Sequence, residues 1–187
     1  MSKTRKLIES PMSDVLIQKY FDGHANIKTL AQISQMTTFD ELMGEYEHVI
    51  IFMALQASNS GHWISMFINS GNLYYFDSYG KKPLEPINKL IDYGYPLYGQ
   101  NFNLFELIRK SQFANRFIYN TIQYQNDSVD VAVCGRYASS VCILNILYKE
   151  KNAPFDFNVF YSLMETWKVK MGNKSYDEVI VYFINQF

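Results

Sequence analysis

Cysteine and histidine are scarce in this chain, which has two of the first and three of the second in 187 residues. His24, His48 and His62 form no metal-ligand spacing with Cys134 and Cys142, so neither a metal nor a cofactor is expected. The two cysteines stand eight positions apart on what reads as one helix. At a rise of about 1.5 Å per residue they are roughly 12 Å apart, beyond the ~7 Å reach of a disulfide. Both are expected to be reduced thiols. Charge of either sign is not in excess: 17 basic residues meet 18 acidic ones. That balance removes the overall field that would recruit nucleic acid or an anionic membrane. The one basic concentration, Lys3, Arg5 and Lys6, reads as a solvated tail. No apolar run reaches the roughly 18 residues of a membrane span, and the N-terminus lacks the apolar core of a signal peptide. A soluble, intracellular chain with no membrane partner is the expectation. Internal repeats and low-complexity linkers are absent too. With 48% hydrophobic and 19% charged residues the composition excludes disorder. A single domain over residues 1–187 follows.

What is present is a sequence of short, well-punctuated elements. Residues 13–22 read as a helix, and a second short helix follows Thr38 through the capping box Thr38-Phe39-Asp40-Glu41. Val49 to Leu55 is continuous and β-branched at its start, as in a buried strand. A polar loop over 56–61 leads to a strand from Trp63 to Ile68, the turn Asn69-Ser70-Gly71-Asn72, and an antiparallel return from Leu73 to Asp77. Helices are expected over 86–93 and 103–112, broken from each other by Gly94, Pro96 and Gly99. A strand over 116–125 and a polar loop over 126–130 then precede the segment Cys134 to Lys149, which is apolar around most of its circumference and so belongs deep in the domain. Two helices, 155–170 and 176–186, close the chain, the last opened by the capping box Ser175-Tyr176-Asp177-Glu178.

Three fragments carry chemistry: Gly61-His62-Trp63, Tyr75-Phe76-Asp77-Ser78-Tyr79-Gly80 and Val133-Cys134-Gly135-Arg136-Tyr137. They offer an imidazole, a carboxylate and a thiol. A thiol becomes a strong nucleophile near neutral pH when a base takes its proton, and a carboxylate that orients the base completes the set. Hairpin parity relates two of the three. If the loop is the two-residue Ser70-Gly71, His62 stands opposite Tyr79, and Asp77 shares its face at a diagonal spacing of about 7–8 Å. An odd loop would put them on opposite faces. Cys134 sits where the loop ends and the apolar helix begins, and a helix N-terminus lowers a thiol's pKa. Gly135 leaves room there for a substrate backbone. Cys142, inside the helix, reads as a buried structural residue. An oxyanion site needs a second donor beside the Cys134 backbone N–H, and a side-chain amide at the end of the preceding strand serves. Gln123 and Gln125 share a face there, and parity does not choose between them. Asp127 and Asp130 read as solvated charges.

In these fragments, taken in the order His, Asp, Gln, Cys, the chain resembles the adenovirus maturation protease (adenain) and the wider clan of ubiquitin-like-protein (SUMO) proteases. It looks most like the adenain-like cysteine proteases of virophages, Polinton-type elements and large DNA viruses. The resemblance covers about residues 45–150. It implies an α+β fold, with a mixed, mostly antiparallel sheet packed around a central helix that carries the catalytic Cys. It implies His62 as general base, Asp77 as its orienting partner, Cys134 as nucleophile, and Gln125, with Gln123 as the alternative, in the oxyanion hole. Trp63 and Gly135 would flank the cleft. The nine positions from Gln125 to Cys134 exceed the family's usual spacing, which places a small insertion in 126–133. The implied function is a maturation endopeptidase cutting capsid or core precursors after small, Gly-type residues, in the host cytoplasm at the site of virus assembly and in the virion. A deconjugase for a SUMO-like modifier and a catalytically silent binding module of the same fold are the alternatives. A nucleic-acid or peptide activator, which some members need, finds no support in the balanced charge.

Overall fold

The hairpin at the centre of the chain has the predicted two-residue loop. In the computed structural model, which describes residues 3–57, 60–83, 85–92, 97–128 and 130–187, Ser65 pairs with Phe76 and Asn69 with Asn72. Ser70 and Gly71 make the turn at φ 48° and 75°, the left-handed pair that a tight hairpin turn requires. In chain order the elements are α1 (Lys3–Glu9), α2 (Asp14–Tyr20), β1 (Ile27–Thr29), α3 (Leu30–Ile33), α4 (Phe39–Met43), β2 (His48–Ala57), β3 (Ser60–Asn69), β4 (Asn72–Phe76), α5 (Glu85–Asp92), α6 (Asn103–Lys110), β5 (Phe117–Tyr119), α7 (Cys134–Glu150), α8 (Phe157–Lys170) and α9 (Tyr176–Ile184). The fold is α+β around one mixed five-stranded sheet in the order β1-β2-β3-β4-β5. Its two central pairings are antiparallel and its two short outer pairings, β1 with β2 and β4 with β5, are parallel.

The two-residue period of the strands assigns the faces. Val49, Ile51 and Met53 of β2, Ile64 and Met66 of β3, and Leu73 and Tyr75 of β4 pack against Leu30, Ile33, Leu42, Leu104 and Leu107 of α3, α4 and α6. The alternate residues, among them Phe67, Tyr74 and Phe76, meet Tyr137 and Val141 of α7 and Phe160 and Ile180 of α8 and α9. Helix α7 is buried continuously from Gly135 to Asn145, which is why it has no polar stripe in the sequence. It ends where Asn152 turns left-handed at φ 51° before Pro154. Full burial of one large apolar side chain such as Phe67 or Phe76 stabilises by about 1.5–3 kcal/mol. The exposed Lys149–Glu47 ion pair contributes about 1 kcal/mol or less. Burial therefore seats α7 on the sheet, and a buried Asn69–Asn145 hydrogen bond of 2.7 Å fixes its far end.

Several elements depart from the sequence reading. The basic N-terminus is a helix, α1, whose Leu7 and Ile8 pack on the α7–α9 core. The three-residue β1 and the four-residue α3 were not anticipated. The predicted strand over 116–125 pairs only over Phe117–Tyr119. In α4, Thr38 caps as expected, and Glu41 returns chiefly to Thr37, whose N–H and hydroxyl donate to its carboxylate. The box at Ser175 and Glu178 is complete. The expected break at Gly94 and Pro96 lies outside the described residues, as does part of the 56–61 loop. No helix among the described residues is long and apolar enough to cross a membrane.

Candidate active site

His62 follows a slip in the β2–β3 ladder, where the register shifts between Ala54 and Ala57. A Cβ on Gly61 would stand 1.9 Å from the Met53 carbonyl oxygen, so only glycine lets the strands close beside the histidine. Asp77 is the first residue past β4. Its Oδ1 lies 3.0 Å from His62 Nε2 and also accepts the Tyr79 N–H at 2.8 Å. The Gly80 N–H returns to the Asp77 carbonyl at 2.9 Å. Asp77 thus ends the strand in a local turn and faces the imidazole with the same oxygen. Its other oxygen, Oδ2, is buried without a hydrogen-bond partner among the described residues.

Asn120 holds this carboxylate in place through the backbone. Its Oδ1 accepts the Asp77 N–H at 2.8 Å, and its Nδ2 donates to the Asp77 carbonyl at 2.8 Å and the Ile122 carbonyl at 3.0 Å. Sequence reasoning missed this residue: a side chain that clamps another residue's backbone leaves no spacing to find. The same clamp explains the shortened β5, because at Asn120 the chain leaves the ladder and docks on the 77–80 turn. The Ser78 carbonyl accepts from the Tyr124 and Gln125 N–H groups at 2.9 and 3.0 Å. Gly80, at φ 65°, has no room for a Cβ, which would lie 2.8 Å from the Ile122 carbonyl carbon.

Cys134 is the first residue of α7, after Val133, whose side chain makes no capping bond. The first N–H groups of the helix therefore point out of its end unpaired within the helix. The half-buried thiol is within the electrostatic influence of the His62 imidazole and of the backbone N–H groups of Trp63 and Gly135. With Nε2 engaged by Asp77, Nδ1 is the imidazole nitrogen available to the sulfur. Burial alone would raise the thiol's pKa, but the hydrogen bond and charge of His62, joined by the two backbone donors, hold it below the ordinary value. Burial acts on His62 in the opposite sense, and its hydrogen bonds to Asp77 and Cys134 outweigh that effect, so its pKa is raised well above the usual 6.5. Both directions favour a thiolate–imidazolium pair. The Tyr79 ring lies over His62 at 5.0 Å between centroids. Its hydroxyl is pushed up to about 12, first by burial and then by the neighbouring Cys134 charge, so it stays protonated.

The two glutamines separate by exposure. Gln125 is buried, accepting from Ser78 Oγ at 2.8 Å and donating through Nε2 to Tyr79 Oη at 2.9 Å and the Val131 carbonyl at 3.2 Å. Gln123 is exposed and donates to the Gln125 carbonyl at 3.0 Å. Trp63, 8% exposed, packs on Phe52 at 4.9 Å. The space over Gly135, expected to admit a substrate backbone, is taken by the chain itself: a Cβ there would meet Met12 Cβ at 2.9 Å and Trp63 Cδ1 at 3.2 Å. Asp127 and Asp130 are exposed. Cys142 is a free, fully buried thiol whose pKa burial pushes up to about 12. Among the described residues no group of three or more His, Cys, Asp or Glu side chains is disposed to hold a metal ion.

A sequence relative points the same way. A protein of Acanthamoeba polyphaga mimivirus, provisionally named a thiol protease, is 33% identical over 132 residues, which cover 67% of this chain and 38% of that protein. The chain thus spans well under half the length of this relative. The resemblance of the motifs to viral thiol proteases is matched by it. Among solved structures, a crystal structure of a protease from African swine fever virus is similar over 100% of this chain and 70% of its own, with a TM-score of 0.48 and 12% identity. The C-terminal Ulp1 protease domain, solved with Smt3, the yeast orthologue of SUMO, is similar over 98% of this chain and 80% of its own, with a TM-score of 0.39 and 17% identity. No family model matches the chain.

Proposed function

We propose that this chain is a cysteine endopeptidase in which Cys134 is the nucleophile, His62 its proton partner and Asp77 the group that orients His62. The observation that carries this reading is the buried His62–Asp77 hydrogen bond, with His62 coupled electrostatically to the Cys134 thiol at a helix N-terminus. The Cys134 sulfur attacks the substrate carbonyl carbon, and the charge that develops on the oxygen is met by the Cys134 backbone N–H at the start of α7. Gln125 serves as the second donor by exchanging its bond to Tyr79 or to the Val131 carbonyl for the substrate oxygen. The C–N bond then breaks, the leaving amine takes its proton from His62, and a thioester remains. Water, losing a proton to His62, adds to the thioester and releases the acid and the free thiolate.

In this reading activity holds across the pH range where the ion pair persists. It falls on the acid side as the thiolate is protonated, below the ordinary thiol range because the Cys134 pKa is lowered. It falls on the alkaline side as His62 loses the proton it must give the amine, above the ordinary histidine range because its pKa is raised. The substrate class we propose is a viral capsid or core precursor cut after small, Gly-type residues, with processing at the assembly site and in the virion. The relative, a thiol protease by its provisional name and viral in source, is the reason for choosing a viral substrate. Removal of a SUMO-like modifier is the second reading, favoured by the fold neighbour solved with such a modifier. Incubation with capsid precursors of a related virus and, separately, with a SUMO conjugate tells them apart. Cleavage of the precursor with Cys134 trapped as an adduct by a peptide electrophile is expected. Cleavage of the conjugate alone would overturn the maturation reading, and cleavage of neither with no adduct at Cys134 would leave a silent module.

A further inference from the structure

Residues 8–12 bind to the site in a manner that the proposed reaction does not use. Three alternate carbonyls of this stretch each accept a hydrogen bond from an element of the site. The Ile8 carbonyl takes the Ala132 N–H at 2.8 Å, the Ser10 carbonyl takes Arg136 Nη1 at 2.7 Å, and the Met12 carbonyl takes Trp63 Nε1 at 3.1 Å. Ser10 and Pro11 are exposed, whereas the Met12 side chain is 3% exposed. Met12 is wedged where β3 meets the first turn of α7, in the space that the absent side chain of Gly135 leaves open.

We infer that this segment is a positioning strap for the nucleophile, with Met12, Trp63 and Arg136 as its positioning residues. Trp63 is the residue after His62, and Gly135 and Arg136 are the two after Cys134, so the strap ties the strand bearing the base to the helix bearing the thiol. The inference rests on the proposed roles of these two residues. The residues the strap touches, Trp63 and Gly135, are also the ones whose backbone N–H groups hold the Cys134 pKa down. A wedge that fixes Trp63 against Gly135 therefore fixes both donors and the His62–Cys134 separation together. Small errors in such a separation cost a large share of the rate. Arg136 adds a second constraint. It is 3% exposed, and its hydrogen bonds run to the Ser10 and Ala132 carbonyls, with no carboxylate paired to it among the described residues. A buried cation without a counter-ion is costly, and here burial lowers the guanidinium's pKa while the Tyr20 hydroxyl and then the Cys134 thiol, as groups able to carry negative charge, work against that lowering.

The test uses the full chain and two conservative changes. Trp63→Phe keeps an aromatic ring but removes the Nε1 donor, and Arg136→Met keeps much of the volume but removes the charge and its donors. For each, the rate of Cys134 alkylation by iodoacetamide is followed against pH by mass spectrometry, with kcat and KM on a peptide substrate and the unfolding midpoint measured alongside. The expected result is a rise of a pH unit or more in the alkylation midpoint and about a tenfold fall in kcat with KM little changed. Met12→Leu, which refills the wedge, is expected to keep the wild-type profile. Variants that lose thermal stability while keeping the wild-type midpoint and kcat would reduce the strap to packing. A rise in kcat would make it an obstruction instead. An ordinary thiol midpoint in the wild type would overturn the nucleophile assignment and the strap with it, whereas a low wild-type midpoint unmoved by the variants overturns the strap alone.

Discussion

Two thiols and two imidazoles divide this molecule into a site and an interior made of the same residue types. Cys134 and Cys142 share α7, and His48 and His62 lie towards opposite ends of the paired strands β2 and β3. In the interior, His48 stacks on Phe21 at 5.1 Å, its Nε2 has no hydrogen-bond partner among the described residues, and burial holds its pKa down to about 4. Cys142, fully buried, is pushed up to about 12 by that burial. Both are neutral. At the site, the effect of burial is overcome because each group has the other, and His62 has Asp77 as well. Desolvation alone neutralises an ionisable group, and a partner that is charged in the opposite sense is what turns burial into activation.

The largest effects should separate the two thiols. Cys134→Ala is expected to remove peptide cleavage by about four orders of magnitude or more, while Cys142→Ala leaves it within about twofold. Comparable losses in steady-state cleavage would break the distinction. His62→Ala should cost about three to four orders of magnitude and erase the difference in alkylation rate between the thiols. Gln125→Ala and Asn120→Ala come next. Loss of an oxyanion donor lowers kcat by about 10² to 10³, and release of the Asp77 backbone should lower it less while narrowing the alkaline side of the pH profile as His62 returns toward its ordinary pKa. An unchanged profile in Asn120→Ala would make the clamp a fold element only.

The interior histidine gives a stability prediction of similar size. The unfolded chain protonates His48 near pH 6.5 and the folded chain only near 4. Its contribution is fully present above about 6.5 and is lost progressively as the pH falls to about 4, by about 3 kcal/mol in all. In His48→Phe that slope in urea-unfolding stability should disappear, and persistence of the full slope would contradict the assignment. The smallest effect is that of Cys142→Ala on stability, about 1 kcal/mol for a small buried cavity, read from the same unfolding curves.

The chain of residues that the sequence makes legible is the one with regular geometry. β3 and β4 are readable because a two-residue turn fixes their register, and the same parity puts Asp77 on the side of His62, while β2 is readable from its continuous apolar run with a β-branched start. The α7 helix was readable from its apolar circumference. α1 was not, because Lys3, Arg5 and Lys6 mask the two apolar residues that dock it. β1 and α3 are shorter than the window in which periodicity can be seen. Within the site, His62, Asp77 and Cys134 carry recognisable chemistry, whereas Asn120 and Met12 act through backbone carbonyls and filled space, which residue type does not announce. The choice between Gln123 and Gln125 was also beyond parity, since both share a face, and burial separates them only in the folded chain.

The claim that Cys134 is ionised by its partners while Cys142 is neutralised by burial is tested most directly by titrating both thiols in one sample. Alkylation of the folded wild-type chain, read per cysteine by mass spectrometry across pH, should give Cys134 a midpoint well below the ordinary ~8.5 and leave Cys142 unmodified until the chain unfolds. A Cys134 midpoint at or above that value, or equal rates at the two thiols, would contradict the account.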